Sequence, residues 1–255
     1  MAKGSNNQKR TLKNKIDNGE ERTPSNKYDD YTLGEFTPTE EQWSIVDSIE
    51  NNDLTVIDAP SGCGKSSTAL WKALSEYRAG NYQKLVFIKN PTEAGDDQIG
   101  FLPNSAEDKI AVHMETMKTR FHQFMSKQKL ENDCRSGNIV LTIPNFELGN
   151  TRDNTFIIID EGQTMSSGTT KLVLERAGKN TKVVLIGDSK QCYSAKYRED
   201  GFRDFINKVT EEIAGYRVSK EAIIGYVRLE SNSNMRSDLS KRITELYDSE
   251  EVEKE

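Results

Sequence analysis

The sequence predicts an α/β fold, a mainly parallel sheet with helices on both faces. Short apolar runs recur at 54–58, 85–89, 139–143, 156–160 and 183–187. Longer stretches with helical spacing lie between them, notably 67–79 and 107–129. The apolar runs are nearly continuous rather than alternating, which is the pattern of strands covered on both faces by crossover helices.

Taken in order, residues 1–35 are rich in Asn, Lys, Ser and Gly and lack aliphatic periodicity, so they are expected to be a disordered tail. Lys3, Lys9, Arg10, Lys13 and Lys15 all precede the first acid, Asp17. A basic arm for nucleic acid would look like this, but a solvated tail is the favoured reading. The folded domain is expected over 36–247. It opens with a helix at 39–50 that Thr39 can cap. Within 107–129, Ile110, Met114, Met117, Phe121 and Phe124 fall three and four apart, a stripe read as core packing rather than a cofactor site. Residues 248–255 form an acidic tail.

The 255 residues suit one large domain, and a net charge of −6 with 30% charged residues describes a soluble protein. With that acidic balance, binding to nucleic acid must come from local basic patches. No apolar run approaches the roughly 18–20 residues of a membrane span, and the N-terminus lacks the apolar segment of a signal peptide. Cys63, Cys134 and Cys192 form no CxxC pair, so a reducing cytoplasm is expected. His113 and His122 have no metal partner at ligand spacing.

Chemistry enters at the first strand. Leu54-Thr-Val-Ile-Asp58 runs into Ala59-Pro60-Ser61-Gly62-Cys63-Gly64-Lys65-Ser66-Ser67, after which a helical pattern begins. A strand, a Gly-rich turn and a helix N-terminus are the context a P-loop requires. Its backbone N–H groups and the helix dipole hold phosphate. Lys65 neutralises the β and γ oxygens, and the Ser66 hydroxyl ligates Mg²⁺. The first glycine usual in such a loop is Ala59 here. Phe156-Ile-Ile-Ile-Asp160-Glu161-Gly162-Gln163 supplies the second half of the site. Asp160 would hold Mg²⁺ through water, and Glu161 would be the base that orients the attacking water. A third strand ends in Gly187-Asp188-Ser189-Lys190-Gln191, where Gln191 or Asp188 can sense the γ-phosphate.

With these segments in place the sequence resembles the PhoH family of P-loop ATPases, related to superfamily-one helicases. The loop at 59–66 matches that family's Gly-Pro-Ala-Gly-Thr-Gly-Lys-Thr, Asp160 to Gln163 its Asp-Glu-Ala-Gln, and Gly187 to Gln191 its Gly-Asp-x-x-Gln. Further matches are Glu93-Ala-Gly95, Ile99-Gly-Phe-Leu-Pro103, Arg176 with Gly178, and the spacing of Arg236, Leu239, Arg242, Glu245 and Tyr247. Together these cover about 37–247. The resemblance implies a RecA-like P-loop NTPase fold, ATP hydrolysis with Mg²⁺, and a ring of six subunits. It also places Gln42 where such proteins read adenine. Lys89, Asn90 and Asn150 depart from the family pattern. The chain has no room for the nuclease or RNA-binding domains that some members carry, which suits a phage-encoded or stripped-down member.

One lobe's worth of motifs leaves charge on the γ-phosphoryl uncovered, and an arginine finger is typically worth about 10³–10⁵ in rate. A heterologous ring solves this if each subunit lends an arginine to its neighbour. Arg176 and Arg236 are the candidates. The stretch 90–103 is the candidate loop for facing a strand, although Phe101 and Leu102 are read as packing inward rather than stacking on a base. The leading expectation is an ATPase acting on single-stranded nucleic acid, RNA before DNA. A nucleotide-dependent interaction module and a P-loop kinase are the competing classes.

Overall fold

The computed structural model describes residues 30–90, 106–147, 149–191, 200–230, 237–240 and 242–243, with side chains described outside 106–112. The helices are α1 (Glu40–Asn51), α2 (Lys65–Arg78), α3 (Ala106–Phe121), α4 (Lys127–Ser136), α5 (Ser167–Leu174) and α6 (Gly201–Val209). The strands are β1 (Leu54–Asp58), β2 (Lys84–Lys89), β3 (Ile139–Thr142), β4 (Thr155–Asp160), β5 (Lys182–Gly187), β6 (Thr210–Ile213), β7 (Tyr216–Ser219) and β8 (Ile224–Arg228). All five expected strands are present. They join β8 in a six-stranded sheet of order β3-β2-β4-β5-β1-β8, and every pairing in it is parallel.

Because side chains alternate along a strand, the sheet divides the core into two layers. Ile57, Leu85, Phe87, Phe156, Ile158, Val184 and Ile186 point to one face, where they meet Ile45 and Ile49 of α1, Leu70 and Leu74 of α2, and Met117 and Phe121 of α3. Val56, Val86, Ile88, Ile157, Ile159, Val183 and Leu185 point to the other, against Val173 of α5 and Phe202 and Ile206 of α6. Of the apolar stripe read from Ile110 to Phe124, Met117, Phe121 and Phe124 are buried and Met114 packs against the same cluster, while the Ile110 side chain lies outside the described residues.

Thr39 caps α1 in a reciprocal capping box with Gln42. Two expectations need correction. The helix read over 107–129 is broken, with α3 ending at Phe121 and α4 beginning after Ser126, whose hydroxyl accepts from Lys129 N at 3.2 Å. The carbonyls between them are taken by the start of the fold. Thr32 N donates to Phe124 O at 2.8 Å, the Thr32 hydroxyl donates to Gln123 O at 3.0 Å, and Tyr31 bridges Met125. Tyr31, Thr32 and Leu33, expected within the tail, are therefore part of the packed domain, while residues 1–29 of that tail lie outside the described residues. Leu33 is buried, and its carbonyl accepts from the Trp71 indole at 2.9 Å. Residues 248–255 lie outside the described residues, and among those described no helix is long and apolar enough to cross a membrane.

Strand register brings the chemistry to one edge. Asp58 of β1 stands opposite Gly187 of β5 and Arg228 of β8, while Lys89 of β2 stands opposite Asp160 of β4. Since the strands are parallel, their carboxyl ends open on the same side, where ligands of such sheets bind. At this edge β5 lies between the phosphate-loop strand and the acidic strand.

Candidate nucleotide site

The loop after β1 turns back on itself with Gly62 at φ 91° and Gly64 at φ 73°, a conformation that costs an L-residue about 1–2 kcal/mol. Gly64 is held to glycine twice over, because a Cβ there would stand 2.4 Å from Gln42 Nε2. Gln42 is buried under the loop. Its Nε2 donates to Cys63 O at 3.0 Å and its Oε1 accepts from Thr39 N at 3.1 Å. Both ends of the carboxamide are thus bonded to backbone, and Gln42 braces the loop. Cys63 is buried as well, and burial pushes its thiol pKa up to about 11. Ala59, in the usual glycine's place, continues the ladder by donating its N–H to Gly187 O at 3.1 Å.

The loop leads into the 14-residue α2, whose N-terminus faces the space above the sheet edge. Lys65 lies back over the loop, its ammonium donating to Ala59 O at 2.7 Å and Pro60 O at 3.1 Å. Ser66 is buried and donates its hydroxyl to Asp160 Oδ1 at 2.9 Å. Ser67 is turned away, toward Gln123 Oε1 at 3.5 Å.

Asp160 is almost fully buried, and its second oxygen, Oδ2, has no hydrogen-bond partner. A carboxylate oxygen left this way is costly unless a cation answers it. The donor set, a hydroxyl beside a carboxylate at the phosphate-loop helix, suits Mg²⁺, which takes oxygen ligands and leaves positions to phosphate and water. Here the charge nearest Oδ2 is Arg120 of α3, with Nη1 at 3.3 Å.

Glu161 follows in the left-handed region at φ 59°, a strained position for a non-glycine residue. Thr164 over-determines it, donating both its N–H (3.0 Å) and its hydroxyl (2.6 Å) to Glu161 O. Asn90 then donates to Thr164 O at 2.9 Å. The Glu161 carboxylate accepts from Gln163 Nε2 at 2.9 Å and has Lys89 Nζ at 3.9 Å. Gln163 also accepts the Asp188 N–H at 3.3 Å through its Oε1, so one buried amide joins the acidic pair's loop to the turn after β5. Within that turn Asp188 is buried and accepts from Lys190 N at 3.0 Å, and Gln191 N donates to Asp188 O at 3.1 Å. The turn leaves β5 at Gly187, where a Cβ would meet the Phe202 ring at 2.7 Å.

The structure thus brings together Ala59 to Ser66, Asp160, Glu161 and the turn carrying Gln191. Arg176 is elsewhere. Its carbonyl accepts from Arg152 N at 2.9 Å, before β4 begins, and its Nε donates to Leu172 O at 3.1 Å. That is the opposite end of the strands, beyond the roughly 17 Å that β4 rises from Thr155 to Asp160. Arg236, and 91–103 of the candidate strand-facing loop, lie outside the described residues. Sequence reasoning missed Arg120, Asp58 and the bracing role of Lys89 and Asn90. Lys89 is the charged last residue of an otherwise apolar strand run, a signal that could have found it. Arg120 carries none, being one of two basic residues in the last turn of α3.

Fold and site define a P-loop nucleotide-binding protein. The family model for PhoH-like proteins matches residues 37–248, and the chain belongs to that family. Among its relatives, the PhoH-like protein of Bacillus subtilis (strain 168) is 26% identical over 212 residues, covering 81% of this chain and 62% of that one. The PhoH-like protein of Synechocystis is 24% identical, with 82% and 61% covered. Protein PhoH of Escherichia coli (strain K12) is 24% identical, with 82% and 56% covered. The chain therefore spans less than two thirds of the length of these relatives. Among solved structures, the Hef helicase domain of Pyrococcus furiosus aligns with a TM-score of 0.43 at 15% identity, over 75% of this chain and 38% of that one. A likeness of that size carries no functional argument.

Proposed function

We propose that this chain hydrolyses ATP and couples hydrolysis to work on single-stranded nucleic acid, RNA before DNA, as a homohexameric ring. The observation that carries the ATPase reading is the Ser66 hydroxyl 2.9 Å from a buried Asp160 whose other oxygen lacks a hydrogen-bond partner, at the N-terminus of the phosphate-loop helix. In this reading the amides of 59–66 cradle the phosphates, and Lys65 moves from two loop carbonyls to the β and γ oxygens. Ser66 and Asp160 would hold Mg²⁺, which would supply neutralisation of phosphate charge. Glu161, fixed by Thr164 and Gln163, orients the attacking water and accepts its proton. Gln191, on the turn after β5, faces the γ-phosphate. Gln42 acts on the nucleotide through the loop it braces.

The ring is proposed because an arginine lent by a neighbouring subunit would cover charge on the γ-phosphoryl. Arg176 stands at the far end of the strands from the site, so the role proposed for it is toward a neighbouring subunit, and Arg236 is the other candidate for that role. Phosphate release measured with and without poly-RNA or single-stranded DNA tests the reading. Hydrolysis stimulated by a strand and abolished by Lys65→Ala is the expected result. Transfer of phosphate to an added acceptor would make the protein a kinase, and binding without turnover an interaction module. Arg176→Ala and Arg236→Ala are expected to stop turnover while sparing ATP affinity in at least one case. Full turnover in both variants, or a monomer that hydrolyses ATP at full rate, would refute the ring.

A further inference from the structure

Asp58, the last residue of β1, is not part of any phosphate-binding motif, yet its carboxylate accepts four hydrogen bonds. Its side chain is 4% exposed. Oδ1 accepts from Ser189 N at 2.8 Å. Oδ2 accepts from the Ser189 hydroxyl at 2.7 Å, the Tyr226 hydroxyl at 3.0 Å and Arg228 Nη1 at 3.1 Å. Burial, reinforced by the Asp58 charge, pushes the Tyr226 phenol up to about 12, so it remains a proton donor through the neutral range.

These contacts fall where the backbone stops holding the sheet together. The β1–β5 ladder ends at Asp58 opposite Gly187, with Ala59 N on Gly187 O as its last rung. The turn 188–191 lies beyond it, and two side chains fix that turn from opposite sides. Gln163, which also holds Glu161, takes the Asp188 N–H. Asp58, one residue before the phosphate loop, takes both donors of Ser189. Across β1, Leu229 N donates to Asp58 O at 3.0 Å and the Cys63 thiol reaches Glu230 O at 3.6 Å, so β8 and the two residues after it are tied to the same root. A charged acceptor bonded by several donors defines position more sharply than a neutral one.

We infer that Asp58 is a positioning residue, which sets the turn 188–191 at a fixed distance from the phosphate loop and links both to β8. The inference rests on the ATPase reading for its catalytic consequence but not for its structural one. A shift of the turn moves Gln191 relative to the γ-phosphate while leaving the cradle for the α- and β-phosphates intact, so it lowers turnover rather than nucleotide affinity.

The test uses Asp58→Asn in the full chain, with two readouts. In nucleotide-free protein, hydrogen exchange over 187–191 is expected to speed up about tenfold, the scale of one lost charge-assisted hydrogen bond, while α2 and β4 keep their protection. In the loaded protein, kcat is expected to fall about tenfold with the ADP dissociation constant within about threefold of wild type. Asp58→Glu, longer by one methylene, should not restore kcat. If Asp58→Asn does not fold, Ser189→Ala and Tyr226→Phe each remove one bond and should move both readouts in the same direction. Unchanged exchange over 187–191 overturns the inference. So does a uniform loss in which KM, kcat and exchange throughout the domain shift together. A wild-type protein that does not hydrolyse ATP refutes the ATPase reading instead, and the exchange result still decides the role of Asp58.

Discussion

Gly64→Ala attacks the phosphate loop at its tightest point. Two costs can be worked from the geometry. At φ 73° a Cβ costs about 1–2 kcal/mol through its own backbone. It would also stand 2.4 Å from Gln42 Nε2, forcing that amide off Cys63 O and Thr39 N, and two hydrogen bonds at about 1 kcal/mol each are then at risk. The total is about 3–4 kcal/mol. Gln42→Ala alone loses the same two bonds and one partner of the α1 capping box, about 2 kcal/mol. The double variant is the informative one. With the amide already gone the new methyl meets nothing rigid, so the double variant should be more stable than the sum of the singles predicts by more than about 1 kcal/mol. Urea unfolding of the four proteins measures this coupling. Additivity within about 0.5 kcal/mol would show that Gln42 and Gly64 do not sense each other, and the bracing role assigned to Gln42 would fall with it.

Two further outcomes are expected at the site. Arg120 sits 3.3 Å from the carboxylate oxygen that a divalent cation would use, and the two charges compete for it. Arg120→Gln is therefore expected to tighten Mn²⁺ binding to the ADP-loaded protein by about three- to tenfold, read by electron paramagnetic resonance, and equal or weaker binding would show that the guanidinium does not oppose the metal. The Cys63 thiol, raised by burial from 9.0 to about 11, keeps its proton in the folded chain where the unfolded chain loses it. The folded state then binds more protons between those values. The contribution of this group to stability is full below about pH 9 and declines toward about pH 11, by up to about 1.4 kcal/mol per pH unit. Cys63→Ala should flatten that decline in chemical unfolding at alkaline pH, and an unchanged slope would assign it to other groups.

The five strands β1 to β5 were legible because each is a nearly continuous apolar run, the pattern of parallel strands covered on both faces. The phosphate loop and Asp160-Glu161 were legible because their residue types follow those strands directly. β8 escaped notice for the converse reason. As an edge strand it is only partly buried, and Ile224-Gly-Tyr-Val-Arg228 contains a glycine and ends in a charge. The break between α3 and α4 was invisible along the chain because Tyr31 and Thr32, about ninety residues earlier, take the carbonyls that would have continued the helix.

What the sequence determined by itself was the local chemistry: glycines where the loop must turn, a lysine and serine at a helix start, and an acidic pair after an apolar strand. Tertiary structure alone decided which charges face one another. Parallel register put Asp58 level with Gly187 and Arg228, and Lys89 level with Asp160, while helix packing carried Arg120 to within 3.3 Å of the Asp160 carboxylate. Propensity and periodicity act over a few residues, whereas these pairings join positions as far apart as 58 and 228, and only the packing of β1 between β5 and β8 brings those together.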